Sequence, residues 1–393
     1  MKIKETKPYI WLRSFLYSLG LLKPKGPKDY YISKVSRKAP WVYISYIADP
    51  FYHLDDDAYM SSHQNKMETI RIVQVLNELG YNVYIQDYLS KRELPNLKNV
   101  KMVFGHEPNL IYAAEKYKGS IVVQYNTGAY VEHANSQIVR MTDYVNTKYN
   151  SNIPYRRLIE VKDRAHSIYR GYEIADKILQ IGSKYTVQTM PEVFHDKIVL
   201  IHESTQNCRD IVIEDSIENH YLYLGSSGTM LKGVPLLIEY FTEHTEKNIH
   251  IVGRIEEDYM ELIRNEITPN IHFYGYMNVC SDEFVKITKK CNFILYPSGT
   301  EGVPGAVLCA MKYGLIPIVT PWAAFDEIED YGFLMDYNWN VNSIAKGIDW
   351  ATSMSKEERF KTKNRCKQYV NLNYNIEKFT EEFRRFCVDV LGL

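Results

Sequence analysis

Glu301 stands in a run, Tyr296–Thr320 (YPSGTEGVPGAVLCAMKYGLIPIVT), whose residue types suit the handling of a phosphorylated ligand. Pro297 ends an apolar run, glycines at 299, 302 and 305 punctuate the loop after it, and a helical pattern follows. Such a loop brings unpaired backbone N–H groups to the start of a helix, where amides and helix dipole both favour an anion. A carboxylate beside a phosphate cradle is suited to sugar hydroxyls or to a developing cation. The alternative is a carboxylate that only complements the helix dipole, worth roughly 0.3–1 kcal/mol.

A second candidate is YLYLGSSGTMLKGVPLLIEYF (Tyr221–Phe241). Ser226-Ser227-Gly228-Thr229 forms a small polar turn that lets a diphosphate approach the backbone, and Lys232 supplies a compact positive charge. The closing GK[ST] of a P-loop is absent. A third is QYNTGAYVEHANSQIVR (Gln124–Arg140), which follows a buried strand, so Asn126, Thr127, Gly128, His133 and Asn135 lie at a strand end facing the cleft and are candidates for ligand contact. His133 is the acid/base candidate by its titration range, with His106 a weaker one; either is otherwise a structural histidine. Asp55-Asp56-Asp57 reads as a solvated acidic loop, and no metal site is expected.

The elements that must position these residues alternate between apolar strand-like runs and helical patterns, the signature of a parallel α/β architecture. The first half offers strands at Trp41–Ile47, Tyr81–Gln86, Val100–Gly105, Ser120–Tyr125 and Asp176–Gly182, with a helix over His63–Leu79 closed by Gly80. The second half restarts at Tyr221–Gly225, Ile249–Gly253, Ile271–Gly275, Asn292–Pro297, Ile316–Thr320 and Gly332–Met335. The segments are a basic amphipathic stretch (1–38), a first Rossmann-like domain (39–215), a second Rossmann-like domain (216–354) and two C-terminal helices (355–393) that pack back on the first domain. Two doubly wound domains in series place a ligand cleft between the C-terminal ends of their strands.

At 393 residues the chain is too long for one ordinary core. A formal net charge of −1 provides no global field for nucleic acid. The six cysteines show no CxxC pairing, which reads as reduced, mostly buried thiols in a cytosolic protein. No apolar run is long enough to span a bilayer. Residues 1–28 are basic and carry aromatic and aliphatic side chains, so they fit either the inner face of the cell membrane or an arm packed on the protein's own surface.

Taken in order, strand–GSSGTMLKG–helix, IHIVGR, IHFYGYMNVCSDEF and NFILYPSGTEGVPGAVLCAMKYGLIPIVT resemble the donor-binding half of GT-B glycosyltransferases. They look most like the large retaining family with a Glu-x7-Glu motif, in the form found in bacterial polysaccharide enzymes. The motif-level resemblance covers Tyr221 to about Met335. It implies a GT-B fold and transfer of a sugar from a nucleotide-sugar, UDP- or GDP-linked, to a lipid-linked or polysaccharide acceptor, with retention and without a metal or other cofactor. By that resemblance Glu301 contacts the donor sugar, and Gly302, Val303, Pro304, Gly305, Ala306 and Val307 form the diphosphate loop. Lys232 is the phosphate lysine, Ser226, Ser227 and Gly228 line the diphosphate turn, and Tyr276 and Met277 hold the base. Two positions depart from the pattern. The second glutamate falls at Cys309, and the arginine that often follows the strand glycine is absent, with Arg254 a substitute charge. A binding-only homologue and a nucleotide-sugar epimerase of the same fold are the rival expectations.

Overall fold

A computed structural model describes residues 29–159, 166–205, 208–214 and 216–393, so the amphipathic reading of 1–28 lies outside the described residues. The first sheet has seven strands: β1 (Tyr30–Ser33), β2 (Trp41–Ser45), β3 (Asn82–Gln86), β4 (Val100–Gly105), β5 (Ile121–Asn126), β6 (Lys177–Ile181) and β7 (Ile198–Ile201). Their spatial order is β1-β3-β2-β4-β5-β6-β7. The second sheet holds β8 (His220–Leu224), β9 (Asn248–Val252), β10 (Ile271–Gly275), β11 (Phe293–Tyr296), β12 (Ile316–Val319) and β13 (Phe333–Leu334), in the order β10-β9-β8-β11-β12-β13. All pairings are parallel except β1 with β3.

The apolar runs become strands because both faces are covered by helices, as the fully buried β3, β11 and β12 require. β1 and β7 were not expected from sequence. Each is a four-residue edge strand, only partly buried, so neither carries the continuous apolar run that marks a covered strand. The helix Asn65–Glu78 ends before Gly80, whose φ of +91° is the left-handed conformation that glycine adopts without steric cost.

The order reverses between β2 and β4 in the first sheet and between β8 and β11 in the second. Ligands bind in such sheets at these switch points, beyond the C-terminal ends of the strands. In the second sheet those ends lead into the Gly225 turn and the loop after Tyr296. The topology therefore brings together two segments that lie far apart in sequence.

The domains meet through specific bonds. Ser183 Oγ donates to Ala324 O (2.7 Å), Lys184 N to Asp326 Oδ1 (2.6 Å), and Arg140 Nη2 to Trp339 O (2.5 Å). Met141 and Val145 of the helix Val131–Tyr149 are buried in the second domain's core. The C-terminal chain ties the two bodies again. The helix Lys356–Asn373 buries Cys366 and Val370 in the second core, and the helix Ile376–Leu391 crosses to bury Phe379, Phe383 and Phe386 in the first.

Candidate active site

A cleft of about 400 Å³ runs between the domains and is lined by both. Its second-domain wall is Gly225, Ser226 and Lys232 from the turn after β8, Tyr276 and Met277 after β10, and Tyr296 and Glu301 to Ala306 around the loop after β11. Tyr46, His63, Gln64, Glu68, Thr127 and Glu203 face them from the first domain.

Lys232 and Glu301 meet at the centre. Lys232 Nζ donates to Glu301 Oε1 at 2.5 Å and to the Tyr296 hydroxyl at 2.7 Å. Tyr296 OH and Ser298 Oγ donate to the same Oε1 at 2.9 and 3.0 Å. Among the described residues Glu301 Oε2 takes no bond, so three donors orient the carboxylate and leave one oxygen for a ligand. Burial, then the charge of Glu301, raises the Tyr296 phenol well above its ordinary value, which keeps it a proton donor.

The loop glycines have two uses. The helix Gly305–Lys312 starts after Pro304 with no side-chain cap. The N–H groups of Gly302, Val303, Gly305 and Ala306 take no protein acceptor among the described residues, whereas that of Val307 bonds to Pro304 O. This is an open amide cluster at a helix N-terminus, suited to an anion. Gly302 also lets the domains touch, because a Cβ there would stand 2.7 Å from Ile181 O and 3.0 Å from Thr127 O. Gly302→Ala should force these backbones apart and lower stability by about 1–3 kcal/mol in denaturant melts. An unchanged melt would show that the loop yields without cost.

The other expected residues divide. Ser226, Thr127, Tyr276 and Met277 line the cleft. Ser227 and Gly228 are absent from the cleft wall: Ser227 Oγ accepts from Arg157 Nη2 (3.0 Å) and the N–H groups of Gly228 and Thr229 are taken by the Glu256 carboxylate. Arg254 stacks over the Tyr276 ring, its guanidinium 5.7 Å from the centroid. His133 is absent from the cleft wall. Its Nε2 lies 3.0 Å from Gly299 O and its ring packs on Trp322. Burial lowers its titration point, so the neutral ring donates to that carbonyl and pins the Glu301 loop from the opposite domain. Asn126 bonds Gly128 O and Gln180, while Asn135 holds both backbone groups of Ile159. His106 packs against Tyr46 and Tyr125, and Asp56 caps the short helix Asp57–Met60. Among the described residues no three His, Cys, Asp or Glu side chains are grouped to hold a metal ion.

Cys309 turns away from the cleft. It is buried, with its sulfur 3.2 Å from that of Cys208 in the segment joining the domains. Position 309, where the sequence resemblance would put a second glutamate, therefore braces the connection.

Sequence reading missed the acidic wall of the first domain. Glu203 bonds Gln64 Nε2 (3.0 Å), and Glu68 accepts from Ser204 N and Oγ. Both are almost fully buried. Burial raises Glu68 from 4.5 to about 7 and Glu203 well above its ordinary value, so the fold holds protons that the unfolded chain releases. A raised carboxyl gives stability that is full below its unfolded pKa and is lost as pH rises through the folded one. For Glu68 the window is about pH 4.5 to 7. Glu68→Gln should flatten the fall in melting temperature across it, and an unchanged slope would contradict the assignment. No sequence signal marks these carboxylates, since only the fold turns them inward.

The architecture decides one question. Over 90% of this chain and 100% of the other, the structure matches a sucrose-phosphate synthase from Thermosynechococcus elongatus at 12% identity and TM-score 0.62. It matches a glycosyltransferase from Rickettsia africae over 90% and 99% of the two chains, at 15% identity and TM-score 0.56. WaaG, a glycosyltransferase involved in lipopolysaccharide biosynthesis, matches over 90% and 100%, at 13% identity and TM-score 0.51. The fold is GT-B. Residues 218–353, the second GT-B domain, match the family model described as glycosyl transferases group 1. No curated protein sequence matches the chain. In GT-B terms, Lys232 and Glu301 rise from the two central strands of the second domain into the interdomain cleft.

Proposed function

We propose that the chain is a retaining glycosyltransferase that moves a sugar from a nucleotide-sugar, UDP- or GDP-linked, to a lipid-linked or polysaccharide acceptor in bacterial surface glycan synthesis. The observation that carries this reading is the meeting of Lys232, Glu301 and the open amides of the helix Gly305–Lys312 in one cleft. The leaving group of such a reaction is a diphosphate, whose negative charge grows as the bond to the sugar breaks. Amide donors and a lysine fixed where that charge develops stabilise the transition state more than the ground state. Glu301 Oε2 faces the sugar, binding a hydroxyl and offsetting the positive charge at the anomeric carbon. The acceptor attacks from the face that the diphosphate leaves, and the departing phosphate oxygen takes its proton. No side-chain base is then required, which agrees with His133 being engaged elsewhere. The charge is supplied here by the chain's own groups, without a metal ion.

The Cys309–Cys208 contact favours a second reading, a GT-B homologue that binds ligand without turnover, because the aligned carboxylate is missing. A nucleotide-sugar panel with mass-spectrometric detection of sugar release or transfer separates the two. One donor consumed supports the enzyme. Binding with no donor consumed, even with glycan acceptors present, supports the binding module.

A further inference from the structure

We propose that Arg157, carried by the first domain, is the second cation of the donor diphosphate site and stands in for the arginine missing from the Gly225 turn. This rests on the reading of the cleft as a nucleotide-sugar site. A diphosphate carries more than one negative charge. Among the described residues that line the cleft, Lys232 is the only lysine or arginine, and its ammonium is already paired with Glu301 at 2.5 Å. The ammonium is shared with that carboxylate, so one lysine and the amides leave a multiply charged ligand short of positive charge.

Arg157 reaches this turn from the first domain beside the cleft, not in its wall, in an adjoining depression that it lines with Gly228, Glu256 and Asp258. Its Nη2 donates to Ser227 Oγ at 3.0 Å, one residue from Ser226 of the cleft wall. A Cβ on Gly228 would come within 3.0 Å of its Nη1, so the glycine leaves room for the guanidinium. The Arg157 charge is felt at Tyr223 and Tyr296, where it opposes the rise imposed by burial and by Glu301. Tyr296 is hydrogen-bonded to both Lys232 and Glu301, which puts the guanidinium within electrostatic range of the reacting centre.

The backbone around Arg157 is held on both sides. Arg157 has a φ of +65°, uncommon for a side-chain-bearing residue. Arg156 before it is bound to Asp258 at 2.6 Å, and Ile159 after it is clamped by Asn135. Among the described residues Ser227 Oγ is the one acceptor that Arg157 takes, which leaves most of a five-donor fork for phosphate oxygens. Arg254 is the competing cation, but its guanidinium sits over Tyr276, on the side of the cleft assigned to the base. Because Arg157 and Lys232 belong to different domains, a diphosphate held by both would couple donor binding to the apposition of the domains.

The test is titration of a nucleoside diphosphate and the matching nucleoside against the wild type, Arg157→Ala, Arg157→Gln, Arg254→Ala and the double variant Arg157→Ala/Ser227→Arg. Donor KM and kcat are measured on the same set. Loss of Arg157 should weaken the diphosphate tenfold or more, leave the nucleoside unchanged, and raise KM more than it lowers kcat. Arg254→Ala should not reproduce this pattern, and the arginine restored at 227 should recover most of the affinity. Equal diphosphate affinity in wild type and both Arg157 variants would overturn the inference alone. So would a matching loss for nucleoside and diphosphate, which would mark a packing role. A wild type that binds no nucleoside diphosphate would overturn the cleft reading together with it.

Discussion

Glu301→Gln is expected to lower kcat by about 10²–10³, or roughly 2.7–4 kcal/mol of transition-state stabilisation, while nucleoside diphosphate binds at least as tightly as before. Glutamine has nearly the same shape and can accept the bonds that Tyr296 and Ser298 make to Oε1. What it lacks is negative charge, which matters when the anomeric carbon becomes cationic. It also releases Lys232 from its ion pair and makes the ammonium more available to phosphate. The two readouts therefore move apart. A carboxylate with only a helix-dipole role would cost a few tenths of a kcal/mol in stability and leave turnover intact. Steady-state kinetics beside calorimetric titration of the diphosphate distinguish these outcomes, and full activity in the glutamine variant would remove Glu301 from the chemistry.

Lys232→Ala should behave differently and lose on both axes. Its ammonium is the only lysine or arginine charge among the described residues lining the cleft, and it is nearly buried on the turn that precedes the helix Val234–Glu243. Without it, diphosphate affinity should fall by at least tenfold and kcat/KM by about 10²–10³, the loss typical of removing one preorganised donor. Glu301 keeps two hydrogen-bond donors and some solvent contact, so the variant should fold. Lys232→Arg tests geometry as well as charge, since a planar fork does not fit the compact niche beside Tyr296. A Lys232→Ala enzyme with unchanged donor KM would contradict the assignment.

The fold was legible because its determinants are local. Runs such as NFILYP and IPIVT must be buried on both faces, and the glycine or proline after each marks the turn. β1 and β7 escaped notice because edge strands need no such run. The Lys232–Glu301 half of the site was legible for a similar reason, since each motif lies at the end of its own strand. The contribution of the first domain was not. Glu68 and Glu203 face the cleft because separate elements converge there, and Arg157 reaches Ser227 only through the placement of one domain against the other. The glycine pattern shows the converse problem. Gly302 reads as a phosphate-loop residue, yet backbone contact with Ile181 and Thr127 would itself require it. One sequence cannot separate two demands that select the same residue.

Thermal melts of the wild type and Lys232→Ala against UDP, GDP, ADP and CMP, each over a concentration series, report on the diphosphate site itself. One nucleoside diphosphate should raise the wild-type melting temperature with concentration, as ligand binding to the folded state requires. The same shift in Lys232→Ala should need at least tenfold more ligand. Silence across the panel, or an identical shift in both proteins, would contradict a diphosphate site built on Lys232 and Glu301.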